Sequence, residues 1–185
     1  MSESSGLREL KKLLVPGGLP ELGPGPRDGV MSFTELNGTL DQLLEESALP
    51  PVSRDLVRGV MLLWHDHLDE AHLIVQTIEN TDGSFLHGIM HRREPDYGNA
   101  TYWFRRVRDH AAFPKLAVRV APLLDMDGST KLQSRLITSG KWDPFAFVQL
   151  CEKVAANPPG DPEAEIARKI QGLESEVLLE YFVNA

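Results

Sequence analysis

Between Leu56 and Ile78 the apolar residues recur every three or four positions, as Leu56/Val57, Val60/Met61, Trp64, Leu68, Ala71, Val75 and Ile78. A stripe of that length has to be buried against other helices, which commits the chain to helix-on-helix packing. The same spacing returns at Phe33, Leu36, Leu40, Leu43 and Leu44, at Leu116, Val120, Leu123 and Leu124, and at Ile166, Ile170, Leu173 and Val177. With short connections between these segments, the pattern predicts an all-α single domain of about six to eight helices packed as antiparallel hairpins over residues 30–185. Residues 1–29 form an N-terminal arm in this reading. A short helix through Leu7, Leu10, Leu13 and Leu14 precedes a stretch with Pro16, Pro20, Pro24, Pro26 and five glycines, expected to be irregular and to contribute little to stability.

Caps and breakers set the expected boundaries. One helix covers Ser32 to Glu46 and ends before Pro50-Pro51, and a long one capped by Ser53 runs to Ile78. Asn80 to Gly83 reads as a turn, Phe85 to Glu94 as a helix opened by Ser84, Asp96 to Asn99 as a second turn, and Asn99 to Asp109 as a helix. Pro114 can open the next helix, with a short strand over Leu116–Val120 as the alternative. Asp125 to Ser129 reads as a loop and Leu132 to Ile137 as a short helix. Asp143-Pro144 starts a helix through Val154, and after the loop Asn157 to Gly160 a last helix spans Pro162 to Tyr181.

At 185 residues the chain is long enough to bury a core unaided, and its 42% hydrophobic and 25% charged content is that of an ordered globular protein. A net charge of −8 argues against nucleic acid as a partner, since no long basic face is available for phosphates. A lone cysteine, Cys151, cannot form an internal disulfide and reads as core. Neither a signal-peptide h-region nor an apolar run of about 20 residues is present, so a cytoplasmic, membrane-free protein is expected.

Chemistry is concentrated between His65 and His110. That stretch, with Trp64 just before it, holds all six histidines, Trp103, Tyr97 and Tyr102, and Arg92, Arg93, Arg105, Arg106 and Arg108. On a continuous helix His65, Asp69 and His72 fall at i, i+4, i+7 on one face, and His87 and His91 are i, i+4 on the next helix. An antiparallel hairpin turning near Thr81–Asp82 brings His72 level with His91 and Gln76 level with His87. Histidine and carboxylate so arranged can hold a divalent metal such as zinc, iron or manganese, with His65, Asp69, His72 and His91 as candidate ligands. The arginines suit a phosphate or carboxylate by bidentate hydrogen bonding, and Tyr97, in a polar turn, is the aromatic best placed for a ligand. Trp64 and Trp103 read as core. Nothing resembles a glycine-rich phosphate loop or a serine or cysteine nucleophile motif.

The blocks Asp69-Glu70-Ala71-His72, His87-Gly88-Ile89-Met90-His91-Arg92-Arg93-Glu94-Pro95-Asp96-Tyr97 and Asn99 with Tyr102-Trp103-Phe104-Arg105-Arg106-Val107 resemble a family of small uncharacterised helical proteins from bacteria and fungi. Trp142-Asp143-Pro144-Phe145 and the closing helix extend the resemblance over most of residues 55–182. It implies one all-α domain and assigns no chemistry. Asn99 to Arg106 is also similar to the second half of a Sel1-type helical repeat, one of the TPR-like hairpins.

The reading is a helical domain that binds a small anionic molecule in a His/Arg/acid pocket between residues 53–79 and 84–110. His72, His87, His91, Arg92, Arg93, Tyr97, Arg105 and Arg106 are its candidate ligand-binding residues. Two rivals stand beside it. One is a metal-dependent, hydrolase-like enzyme with Glu70 or Glu94 as base; the other is a non-catalytic scaffold for protein partners.

Overall fold

A computed structural model describes residues 5–184 apart from 127, 129 and 159. The expected first turn of helix at residues 1–4, and single positions in the loops expected at 125–129 and 157–160, lie outside the described residues. Among those described, the chain forms ten helices and one two-stranded hairpin. The helices are α1 (Ser5–Lys12), α2 (Phe33–Glu45), α3 (Pro51–Trp64), α4 (Leu68–Val75), α5 (Thr81–Arg93), α6 (Tyr97–Val107), α7 (Ala112–Met126), α8 (Thr130–Leu136), α9 (Pro144–Val154) and α10 (Pro162–Val183). The all-α, single-domain reading is correct, and no described helix is long and apolar enough to cross a membrane.

Five helix starts follow side-chain caps, whereas α3 begins at Pro51 behind Pro50 with no side-chain cap, so the expected cap Ser53 lies inside its first turn. Ser32, Asn80, Asp96, Asp143 and Asp161 each accept a hydrogen bond from a first-turn amide, satisfying donors that have no partner inside the helix. Two segments expected as turns, Asn80–Gly83 and Asp96–Asn99, are therefore caps and first helical turns. Residues 116–120 are helical rather than a strand, and α7 carries Pro122 in its interior. The carbonyl that loses its amide partner there belongs to Val118, 72% exposed, where water can replace the bond. Strands β1 (Ile137–Thr138) and β2 (Lys141–Trp142) pair about Ser139-Gly140, both at positive φ as a tight hairpin turn requires.

The central departure from the sequence reading is the helix expected from 53 to 78. It divides at His65–His67 into α3 and α4, although neither glycine nor proline is there. Asp66 takes the left-handed conformation at φ 66, while the amide of His67 bonds Leu62 O at 2.9 Å and that of Asp66 bonds Leu63 O at 3.4 Å. That is the paired bonding of a Schellman helix end, with aspartate at the position glycine usually fills. The carboxylate explains the choice: Asp66 Oδ2 accepts from the backbone amide and Nε of Arg27 at 2.8 and 2.9 Å, and Oδ1 accepts from Arg93 Nη2 at 2.5 Å.

Arg27 belongs to the N-terminal arm, which is packed rather than loose. Leu7, Leu10, Leu14 and Leu22 are buried in the core. Arg93 donates to Gly23 O at 2.9 Å, and Gln171 on α10 donates to Glu21 O at 2.6 Å. Helix α10 lies at the middle of the molecule, packed on α3, α7 and α9. It buries Glu174 beside Arg92 of α5 in a charge pair with no exposed side-chain surface, flanked by the Phe147 ring 4.4 Å from the guanidinium.

Candidate metal centre

Asn80 begins α5 earlier than the sequence suggests, so the reversal after α4 lies nearer residue 79 than residue 82. His72 is consequently level with the space between His87 and His91, not with His91 alone. Helix α6 then closes over α5 at Gly88, where an added Cβ would stand 2.9 Å from the Phe104 ring. That close approach delivers Trp103 onto His87, ring against ring at 3.8 Å and 7° from parallel.

The result is a cluster of three imidazoles. His87 and His91 stack at 5.1 Å, and His72 meets them edge-on at 4.8 and 5.6 Å. One ring nitrogen of each lies within 4.8 Å of the others. His87 and His91 are buried and His72 is half-buried, so the cluster sits at the edge of the α4–α5 interface within reach of solvent. His91 Nδ1 is 3.0 Å from Glu94 Oε2, which favours the Nδ1–H tautomer and leaves Nε2 as the free lone pair. Burial, reinforced by the charges of His72 and His91, pushes His87 down to about 4. The ring is therefore neutral at pH 7, the form that binds metals.

His87 makes the metal-free fold sensitive to acid. Above pH 6.5 neither the folded nor the unfolded chain protonates it. As pH falls towards 4 the unfolded chain takes up the proton and the folded chain does not, so stability drops across that window. The expected loss is about 2–3 kcal/mol between pH 7 and pH 4. It would be read from urea unfolding in the presence of a chelator, and His87→Asn should flatten the profile over the same range.

The remaining candidates are distributed differently. His65 cannot be a ligand, because Nε2 lies 2.8 Å from Leu13 O and Nδ1 accepts from the Met31 amide at 3.2 Å. His67 and His110 are also engaged, on Met31 O at 2.9 Å and Asp82 Oδ1 at 2.7 Å. Asp69 is exposed and lies outside the cluster. Arg92 and Arg93 are not open to a ligand: both are buried, Arg92 on Glu174 and Gln171 and Arg93 on Asp66, Gly23 O and Leu63 O. Tyr97 lines a separate cleft of about 550 Å³ between the arm and α10. Trp64 is core as expected, whereas Trp103 is half-buried and packs on His87. Arg105 and Arg106 are exposed on α6 and face the start of α5. Of the eight anion-pocket residues expected from the sequence, the structure gathers His72, His87 and His91 in one cluster and Arg105 and Arg106 in a separate cleft.

Comparison with known proteins finds no matching family model, curated protein or solved structure. The family resemblance thus rests on its motif, and the site must be argued from its own chemistry.

Proposed function

We propose that this protein binds a divalent transition metal through His72, His87 and His91. The observation that carries the reading is the convergence of three imidazoles from two helices, whose one carboxylate partner, Glu94, contacts only His91. Three protonated rings this close would repel, and three neutral ones present lone pairs with little else to accept them. An all-nitrogen donor set suits zinc or iron(II) better than manganese, which prefers oxygen. Metal–nitrogen bonds of about 2.0–2.1 Å would draw the rings inward from their present spacing. Three histidines with a further coordination position open is the ligand count of catalytic zinc sites, where the bound metal activates water or polarises an anionic substrate. Glu94, a candidate base from the sequence, here acts through His91 by orienting its ring.

Zinc titrated into chelator-stripped protein should bind one to one. His72→Ala and His91→Ala should each weaken zinc by about 100-fold, and the double variant should lose little more, because removing one ligand already dismantles the site. Binding should also change Trp103 fluorescence through its stack on His87. Zinc affinity unchanged by both single substitutions would sink the proposal.

A further inference from the structure

Beside the histidine cluster, and independent of any metal, lies a second site. The C-terminal end of α6 and the start of α5 enclose an open cleft of about 430 Å³, lined by Arg105, Arg106, Arg108, Tyr102, Thr81 and Glu79 among others. From these residues we infer that the cleft binds a small phosphomonoester.

Charge is the first argument. The protein carries 27 acidic against 19 basic residues, and seven of its twelve arginines are committed to a carboxylate or a carbonyl. Among the described residues Arg8, Arg105, Arg106, Arg108 and Arg135 have no such partner, and three of those five line this cleft. The acids nearest in sequence are engaged elsewhere. Asp109 is held by Lys141 at 3.0 Å and Asp82 by His110 at 2.7 Å. Three guanidiniums against the single carboxylate of Glu79 leave a surplus of two positive charges, the complement of a phosphoryl dianion and more than a monocarboxylate can balance.

Geometry is the second. Asn80 caps the amide of Gly83, and the amides of Thr81 and Asp82 at the mouth of α5 have no protein acceptor among the described residues. They are free to donate to an anion, and the helix dipole favours one there. Arg108 holds φ 58, a conformation that an arginine rarely adopts, and its side chain lines the cleft from there. Arg106 is fixed over the Trp103 ring at 5.3 Å, which limits the rotamers it must give up on binding.

Size completes the assignment. The volume falls in the range of small-molecule sites and exceeds what a bare phosphate ion fills. Tyr102, half exposed on the same wall, offers an apolar face to the organic group.

The test is calorimetric titration of chelator-stripped protein, at fixed ionic strength, with inorganic phosphate, phenyl phosphate and acetate. Phosphate is expected to bind one to one, phenyl phosphate more tightly, and acetate at least tenfold more weakly than phosphate. Arg105→Gln and Arg108→Gln should each weaken phosphate at least tenfold. Arg135→Gln, an unpartnered arginine outside the cleft, should leave it unchanged. His72→Ala should also leave phosphate binding intact, so failure of the metal site and failure of this one are separable. Equal binding of acetate and phosphate, or equal loss on Arg135→Gln and Arg105→Gln, would mean general charge screening and overturn the inference.

Discussion

A chain lacking residues 1–29 is expected to lose its cooperative fold. Leu7, Leu10, Leu14 and Leu22 are all buried, and each buried leucine contributes about 1.5–3 kcal/mol. Their sum is comparable to the entire stability of a typical domain, about 5–15 kcal/mol. The deletion also strips Arg27 from Asp66 and the Gly23 carbonyl from Arg93. Thermal and urea unfolding of the truncated chain should show no sharp transition, with dye binding to exposed apolar surface. A melting temperature within a few degrees of the full chain would show that the buried leucines of the arm are not needed. That tolerant outcome is the one the proline and glycine content of residues 16–29 suggests.

Asp66→Asn is expected to cost about 3–5 kcal/mol, because it leaves Arg93 buried without its counter-charge. Asparagine keeps nearly the same shape and also tolerates positive φ, so the helix end is retained and the effect isolates the charge. In the native protein burial alone would raise the Asp66 carboxyl, but the hydrogen bond and charge of Arg93 and the hydrogen bonds of Arg27 outweigh it and hold it below the usual range. Its contribution is therefore present above about pH 4, where the unfolded carboxyl is also ionised, and fades as pH drops through the lower folded value. Urea midpoints of the two proteins should differ widely at pH 7 and converge at strongly acidic pH. Equal midpoints at pH 7 would show that Arg93 finds another partner.

The sequence makes the helices legible because apolar periodicity and side-chain caps are local signals. Phe33–Glu45, Pro144–Val154 and Pro162–Val183 lie close to where their caps and breakers place them. The split of α3 from α4 is not legible in that way. The apolar stripe continues across it, and its cause is an ion pair between Asp66 and arginines 39 and 27 positions away. The same long-range pairing misleads the site reading. Arg92 and Arg93 look like ligand groups because their partners, Glu174 and Asp66, are not their sequence neighbours. His65 looks like a ligand only on an unbroken helix. By contrast, the meeting of His72 with His91 follows from the antiparallel hairpin expected between their helices. His87 joins them because Asn80, rather than Ser84, opens α5, a difference a cap assignment at Asn80 would have caught.

The contacts between α10 and the arm also bear on the order in which the protein can assemble as it is made. Gln171 holds Glu21 across 150 positions, and Glu174 supplies the only carboxylate described beside Arg92. A nascent chain that has not yet released α10 has no counter-ion for an arginine that must be buried, and lacks the Gln171 hold on its arm. The arm, first to emerge, is therefore among the last parts to find its place. The central hairpin of α5 and α6, joined by a short connection, can form long before.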